Sequence, residues 1–262
     1  MKDDSNILQP DVEAGIAYWA SQPPSYDGVL GGFGNGSLPR IDALGSRQFL
    51  LYLMPELSTV SSPIRPLASP HSIHGYRTRA LDVGAGVGRV TADVLLHLVS
   101  DVVLVEPVDS LVNEAWARGK ASETGILDVD AQARWKGILE ENKSVTFVKD
   151  TLQDVNPSRP VNPAKLLGRV GYVPPTDAME SLFDIIWCQW CLGSLSDSDL
   201  IEFLRRSHYA LRNPQKSLIV VKENCCPDTE DGRPSTTFDE TDSSLTRWIF
   251  LFVFRLLCFN YS

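Results

Sequence analysis

The run Ala80-Leu-Asp-Val-Gly-Ala-Gly-Val-Gly-Arg89 sets a short apolar strand before a glycine-rich turn, and a helix over 90–98 follows. A second apolar strand, 102–105, leads into Glu106. Glycines let the backbone close against a ligand, and the first turn of a helix presents N–H groups with no intrahelical partner. An acid at the end of the second strand accepts hydrogen bonds from both hydroxyls of a ribose. Together these residues describe a nucleoside site. Gly84, Gly86 and Gly88 are spaced G-x-G-x-G, whereas dinucleotide binding wants G-x-G-x-x-G.

Two further segments belong beside that turn. Asp150-Thr-Leu-Gln-Asp154 follows a third strand, and Ile186-Trp-Cys-Gln-Trp-Cys-Leu-Gly193 continues a fourth. In an open α/β sheet, ligands sit outside the carboxyl ends of the strands, so both segments should line one cleft. Leu152 and Gln153 would flank the base of the nucleoside, with Gln189 and Trp190 at the reactive end. An isolated tryptophan is more often a core residue. Alternate side chains of a strand face opposite ways, so Trp187 and Gln189 do not share a face with Trp190 until the strand ends. One of the two tryptophans is therefore expected in the core.

The elements that must position these residues alternate between strand and helix. Strands are expected at 145–149, 183–188 and 217–222, and helices at 11–20, 45–53, 110–118 and 197–211. Such alternation makes a parallel, doubly wound, Rossmann-like α/β sheet. The organisation expected is a helical extension and lid over 1–57, a Ser/Pro linker over 58–74, a catalytic domain over 75–247 and an apolar tail over 248–262. Segments 121–141 and 157–180 are polar, longer than usual connections, and read as surface insertions.

At 262 residues the chain is long enough for one well-packed α/β domain with an extension. Its net charge of -9 argues against duplex nucleic acid, whose phosphates it would repel, and favours a basic partner. Five cysteines, Cys188, Cys191, Cys225, Cys226 and Cys258, show no metal-ligand spacing, and their odd number suits a reducing compartment. The polar, acidic stretch 1–11 has no basic run before an apolar core, so neither a signal nor a transit peptide is expected. The expected location is the cytosol, the nucleus or both, with no membrane partner.

The G-x-G-x-G form resembles S-adenosylmethionine-dependent methyltransferases, which moves the expected cofactor from NAD to S-adenosylmethionine. A more specific resemblance rests on Tyr18-Trp19, Pro23-Pro-Ser-Tyr-Asp-Gly-Val-Leu-Gly-Gly-Phe-Gly34, the glycine turn, Trp187-Cys-Gln-Trp190, Glu202-Phe-Leu-Arg-Arg206, Val221-Lys-Glu-Asn224 and Asp242-Ser-Ser-Leu-Thr-Arg247. This set resembles the alpha-N-terminal protein methyltransferases, which methylate the α-amino group of proteins beginning Xaa-Pro-Lys. The resemblance spans roughly 11–247. It implies a class I methyltransferase sheet, S-adenosylmethionine as cofactor, and substrates among ribosomal and other basic proteins.

The resemblance also implies roles. Gly84, Gly86 and Arg89 would hold the methionine portion of the cofactor, Glu106 its ribose, Leu152 and Gln153 its adenine edge, and Gln189 the region near the sulfonium. Trp19, Leu30, Gly31 and Gly32 would form a lid and wall for the substrate N-terminus. Trp190 would pack on its proline, Asn224 would bind its backbone, and Asp239, Asp242 and Ser244 would receive its lysine and amine. Methyl transfer to an amine requires alignment of donor and acceptor and removal of a proton. An α-amino group has a pKa of about 8, so one carboxylate suffices, and Asp242 is the candidate base. Asp242 and Ser243 are also expected to cap a helix beginning at Ser244, and the run 239–242 would otherwise be read as a solvated loop.

The chain departs from this family in two places. The family commonly has a histidine four residues after the strand-four tryptophan, where this chain has Ser194, which is no base near neutrality. After Arg247, Trp248-Ile-Phe-Leu-Phe-Val-Phe-Arg-Leu-Leu-Cys-Phe259 replaces the expected helix and two further strands. It is too short for a membrane span, and an intron read-through or a truncated gene model is the preferred explanation. A sheet ending there would leave an unpaired edge beside the apolar run 249–254, which favours aggregation. Two other readings keep the glycine turn and Glu106: a methyltransferase of other specificity, and an inactive module that binds Pro-Lys N-termini or only the cofactor.

Overall fold

Short runs of Val, Ile and Leu become the interior of a sheet covered on both faces. In the computed structural model, which describes residues 8–58, 60, 76–125, 134–173, 182–227 and 235–248, β1 (Arg79–Val83), β2 (Asp101–Val105) and β3 (Ser144–Val148) are buried at every position. Continuous burial is what parallel strands flanked by helices require. With β4 (Leu166–Gly171), β5 (Ile185–Gln189) and β6 (Leu218–Lys222) they form a sheet of order β4-β3-β2-β1-β5-β6. All neighbours pair in parallel except β3 and β4, which are antiparallel. The direction of strand addition reverses between β1 and β5, and that is where a ligand cleft opens.

β4 corrects two expectations, that the sheet is wholly parallel and that 157–180 is only a surface insertion. Its sequence, Leu-Leu-Gly-Arg-Val-Gly, buries only Val170 and so carries no clear alternation to read. Tertiary packing makes it a strand: a Cβ on Gly168 would stand 2.5 Å from the ring of Trp116, so this backbone lies directly under that indole.

The helices are α1 (Val12–Ser21), α2 (Tyr26–Val29), α3 (Leu38–Leu53), α4 (Leu96–Leu98, continuing a π-helical turn over Thr91–Leu95), α5 (Asp109–Thr124) and α6 (Asp197–Tyr209). α3 starts seven residues before the expected 45, because Pro39 with its fixed φ sits in its first turn. One core, with Leu50, Leu57, Leu95, Val112 and Trp135, fills the sheet face under α3, α4 and α5. A second, with Leu152, Val155, Leu200, Phe203 and Leu204, fills the face under α6. The doubly wound arrangement follows.

Beyond β6, residues form a small second sheet of β7 (Cys225–Cys226), β8 (Thr236–Asp239) and β9 (Ser244–Trp248), in the order β7-β9-β8. The expected helix from Ser244 is therefore a strand. The period of two was present in Ser-Leu-Thr-Arg-Trp, whose Leu245 and Arg247 are buried and whose alternate residues are not. Asp242 and Ser243 lie in the turn between β8 and β9, with Ser243 at φ 54. Among the described residues β6 is an outer strand of the large sheet, as expected. The tail beyond 248, most of the linker and parts of both insertions lie outside the described residues. No helix among the described residues is long and apolar enough to cross a membrane.

Candidate functional site

A cavity of about 640 Å³ opens at the carboxyl ends of β1 and β5. The glycine turn forms its floor. Gly84 has φ 60, and a Cβ there would stand 2.3 Å from Cys191 Cβ, so the loops after β1 and β5 touch only because this residue is glycine. Gly88 at φ 77 serves packing instead, since a Cβ would meet the ring of Trp135 at 2.9 Å. Glu106, only 4% exposed, accepts from Gly86 N–H at 2.8 Å and Val108 N–H at 2.9 Å. The carboxylate is thereby fixed at the end of β2 with further acceptor capacity toward the cavity.

Gly84, Gly86, Arg89, Glu106, Leu152, Gln153 and Gln189 all line this cavity. The loop with Leu152 and Gln153 is held from α6. Arg206 donates to the carbonyls of Val155, Leu152 and Gln153 at 2.7, 3.0 and 2.9 Å, which gives the Glu202-Phe-Leu-Arg-Arg206 run a structural task. Gln153 donates to the Ser194 carbonyl at 3.2 Å.

The two tryptophans separate as strand geometry requires. Trp187 is 1% exposed, in the core, and donates to Gln189 Oε1 at 3.1 Å. Trp190 is 36% exposed and lines the cavity. It lies just past β5 at φ 56, a conformation that costs a non-glycine residue on the order of 1–3 kcal/mol and turns its indole outward.

The extension and the small sheet close the opposite wall. Trp19 and Leu30 line the cavity, as do Asn224, Asp242 and Ser244. Asp11 N–H donates to Ser243 Oγ at 2.8 Å, and a Cβ on Gly15 would stand 3.3 Å from the Asp242 carbonyl, so α1 seats against the β8–β9 turn. Arg247 fastens β9 in turn. Its guanidinium donates to the carbonyls of Leu192 and Leu195 at 3.1 and 2.5 Å and to Asp197 at 3.0 Å. One carboxylate oxygen of Asp242 is buried with no hydrogen-bond partner among the described residues. Gly31, Gly32 and Asp239 are exposed and lie outside the cavity lining, and Asp239 accepts from Thr241 N–H at 2.8 Å. Ser194 borders the cavity, but its hydroxyl donates to the Cys191 carbonyl at 2.8 Å.

Several site residues escaped sequence reading. Glu223 lines the cavity and accepts from the N–H groups of Cys191 and Leu192, both at 2.8 Å, fixing the loop that carries Trp190. Asp42 on α3 meets Arg89, Gln189 and Lys222. Glu223 stands within Val221-Lys-Glu-Asn224, where Asn224 drew the assignment, whereas Asp42 belongs to no local pattern and only the docking of α3 reveals it. Among the described residues no His/Cys/Asp/Glu group could hold a metal.

Burial pushes the carboxyls of Asp82, Glu106 and Glu223 each up to about 7. In the unfolded chain these groups ionise near pH 4. Between those values the native protein binds more protons than the unfolded chain, so its stability falls as pH rises, and the loss is complete once pH exceeds the folded values. His97, lowered to about 4 by burial, acts in the opposite sense inside that window, up to its unfolded value near 6.5, and Lys143, lowered to about 8 by burial, does so above it. Thermal unfolding of the ligand-free protein should have a higher midpoint at pH 6 than at pH 8, each acid contributing about 1.4 kcal/mol across that interval. A midpoint that rises from pH 6 to 8 contradicts their burial as neutral acids.

A doubly wound sheet whose glycine turn follows β1, with a buried acid ending β2 and a cavity at the strand switch, is the class I S-adenosylmethionine-dependent methyltransferase fold. The chain belongs to the AdoMet-dependent proline di-methyltransferase family, whose sequence model matches residues 9–255, running past Arg247 into the apolar tail. It is 33% identical over 232 residues to the Schizosaccharomyces pombe "Alpha N-terminal protein methyltransferase 1", covering 88% of this chain and 76% of that protein. It is 30% identical to the Xenopus laevis "N-terminal Xaa-Pro-Lys N-methyltransferase 1-A", with 88% and 76% covered. Against the Oryza sativa subsp. indica "Alpha N-terminal protein methyltransferase 1" identity is 31%, and the chain spans 57% of that longer relative. A solved Leishmania major SAM-dependent methyltransferase shares the fold at a TM-score of 0.60 and 24% identity, over 94% of this chain and 71% of that one.

S-adenosylmethionine is the cofactor of this family, and the cavity fits it. The fixed Glu106 carboxylate suits a ribose, Gly84 and Gly86 of the glycine turn line the cavity beside it, and Arg89 supplies a cation for a carboxylate.

Proposed function

We propose that this chain transfers methyl groups to the α-amino group of proteins beginning Xaa-Pro-Lys. The observation that carries this reading is the buried carboxylate oxygen of Asp242, unpartnered among the described residues, in the same cavity as Glu106 and Arg89. A buried polar atom without a partner is costly in the free protein, and a protonated amine would satisfy it. The relatives' names point to the same substrate class.

When bound, S-adenosylmethionine supplies the electrophilic methyl group. Asp242 takes the proton from the substrate ammonium, leaving a neutral nitrogen to attack. Trp190 packs on the substrate proline, Asn224 holds its backbone, and Trp19 and Leu30 cover it. The α-amine is aligned by these contacts. The third-residue lysine lies against Ser244 and Asp242, with Asp239 adding negative charge from the rim. Ser194 has its hydroxyl committed to a backbone carbonyl and takes no part in deprotonation. The proposed setting is the cytosol or nucleus, supported by the four free cysteines among the described residues.

Peptides beginning Ala-Pro-Lys and Ala-Pro-Glu test the reading by radiolabelled methyl incorporation. The glutamate peptide should lose at least a hundredfold in kcat/KM, because it replaces an attractive charge with one that repels Asp242 and Asp239. Equal incorporation into both peptides contradicts it.

A further inference from the structure

The residue that draws the extension, the glycine turn and two strand ends together lies outside every motif. Asp42, on α3, is 8% exposed. Its carboxylate accepts from Arg89 Nη1 at 2.5 Å and from Gln189 Nε2 at 3.1 and 3.0 Å, one distance to each oxygen. Lys222 Nζ also meets it, and donates to Ser46 Oγ at 3.0 Å one turn along the same helix. Gln189 is held from its other side by Trp187. Burial alone would raise the Asp42 carboxyl, but the hydrogen bonds from Lys222, Arg89 and Gln189 hold it below the usual range, so it is ionised at neutral pH.

One carboxylate here faces two cations. Arg89 also lies within electrostatic reach of Asp82 and Asp93, but it is the guanidinium that borders the cavity, where it suits an anionic group on the ligand. Arg89 has five N–H donors in a rigid fork, and Asp42 occupies one end of it. The guanidinium also lies 5.4 Å from the centroid of the Trp190 ring. Its plane is thus constrained before any ligand arrives, and ordering a free arginine at the moment of binding would cost affinity.

We propose that Asp42 is a positioning residue for the methionine end of the cofactor, holding Arg89 and Gln189 so that the free edge of the guanidinium meets the cofactor's α-carboxylate. The proposal rests on the reading of Arg89 as the carboxylate partner in an S-adenosylmethionine site. It makes α3 of the extension part of the cofactor site, although Asp42 touches no ligand itself.

Calorimetry on the full chain with two ligands tests it. S-adenosylhomocysteine carries the α-carboxylate, and 5′-methylthioadenosine carries the same nucleoside and sulfur without it. Asp42→Asn should weaken S-adenosylhomocysteine about tenfold or more and leave 5′-methylthioadenosine within twofold. Asp42→Glu keeps the charge but displaces it by one methylene, so a smaller loss with the same selectivity is expected, and this variant carries the test if Asp42→Asn does not fold. Equal weakening of both ligands would mean that Asp42 only supports the pocket wall and overturns the proposal. Unchanged or tighter S-adenosylhomocysteine also overturns it, the latter because Asp42 would then compete for the guanidinium. A wild-type chain that binds neither ligand contradicts the cofactor reading itself, which separates the two failures.

Discussion

Asp242→Asn is expected to lower kcat for an Ala-Pro-Lys peptide by about 10²- to 10⁴-fold, the usual contribution of a positioned general base, while S-adenosylhomocysteine affinity stays within twofold. The amide preserves the shape of the side chain and its place in the β8–β9 turn, so α1 keeps its seat against Ser243. It removes the carboxylate of the turn that lines the cavity, where the ammonium proton must be accepted. Ser194 cannot replace it, since its hydroxyl donates to the Cys191 carbonyl. The defect should shrink as pH rises through about 8, where the peptide amine loses its proton to solvent without help. Steady-state kinetics from pH 6.5 to 9.5 check both statements. A variant whose kcat is unchanged at pH 7 would remove Asp242 from the proton path.

Glu106→Ala should weaken S-adenosylmethionine by about 10²- to 10⁴-fold. Two charge-assisted hydrogen bonds to ribose hydroxyls contribute roughly 1.5–3 kcal/mol each, and the change removes both. It also strands the N–H groups of Gly86 and Val108, which the carboxylate now satisfies, and so loosens the turn that receives the ligand. Glu106→Gln separates the contributions, since its amide oxygen can still accept from one N–H. Its loss in calorimetry should be smaller. If Glu106→Ala binds the cofactor within threefold of the parent chain, the ribose lies elsewhere.

The parts of this molecule that were legible from the chain are those whose cause is local. Runs such as Val102 to Val105 and Ile185 to Cys188 are buried on both faces wherever they occur, so they announce strands by composition alone. The change of side at Trp190 follows from the period of a strand and the point where it ends. The Pro-containing start of α3 and the alternation through Ser244–Trp248 are equally local signals, the second in competition with Asp242 and Ser243, which also fit a helix cap. β4 was not legible, since the Trp116 ring over Gly168, and not its own pattern, makes it a strand. Asp42 was not legible either. It is an ordinary polar residue on a helix until α3 docks, when it meets Arg89 from the glycine turn and Gln189 and Lys222 from two strand ends. Asp239 shows the converse, an acid grouped with Asp242 by proximity in sequence that lies outside the cavity lining.

Tandem mass spectrometry of an Ala-Pro-Lys peptide after incubation with the chain and S-adenosylmethionine tests the central claim most directly. The account predicts methyl groups on the N-terminal fragment ion alone, an unmodified lysine, and no product from the same peptide acetylated at its α-amine. Methyl on the lysine side chain, or equal methylation of the acetylated peptide, would contradict it.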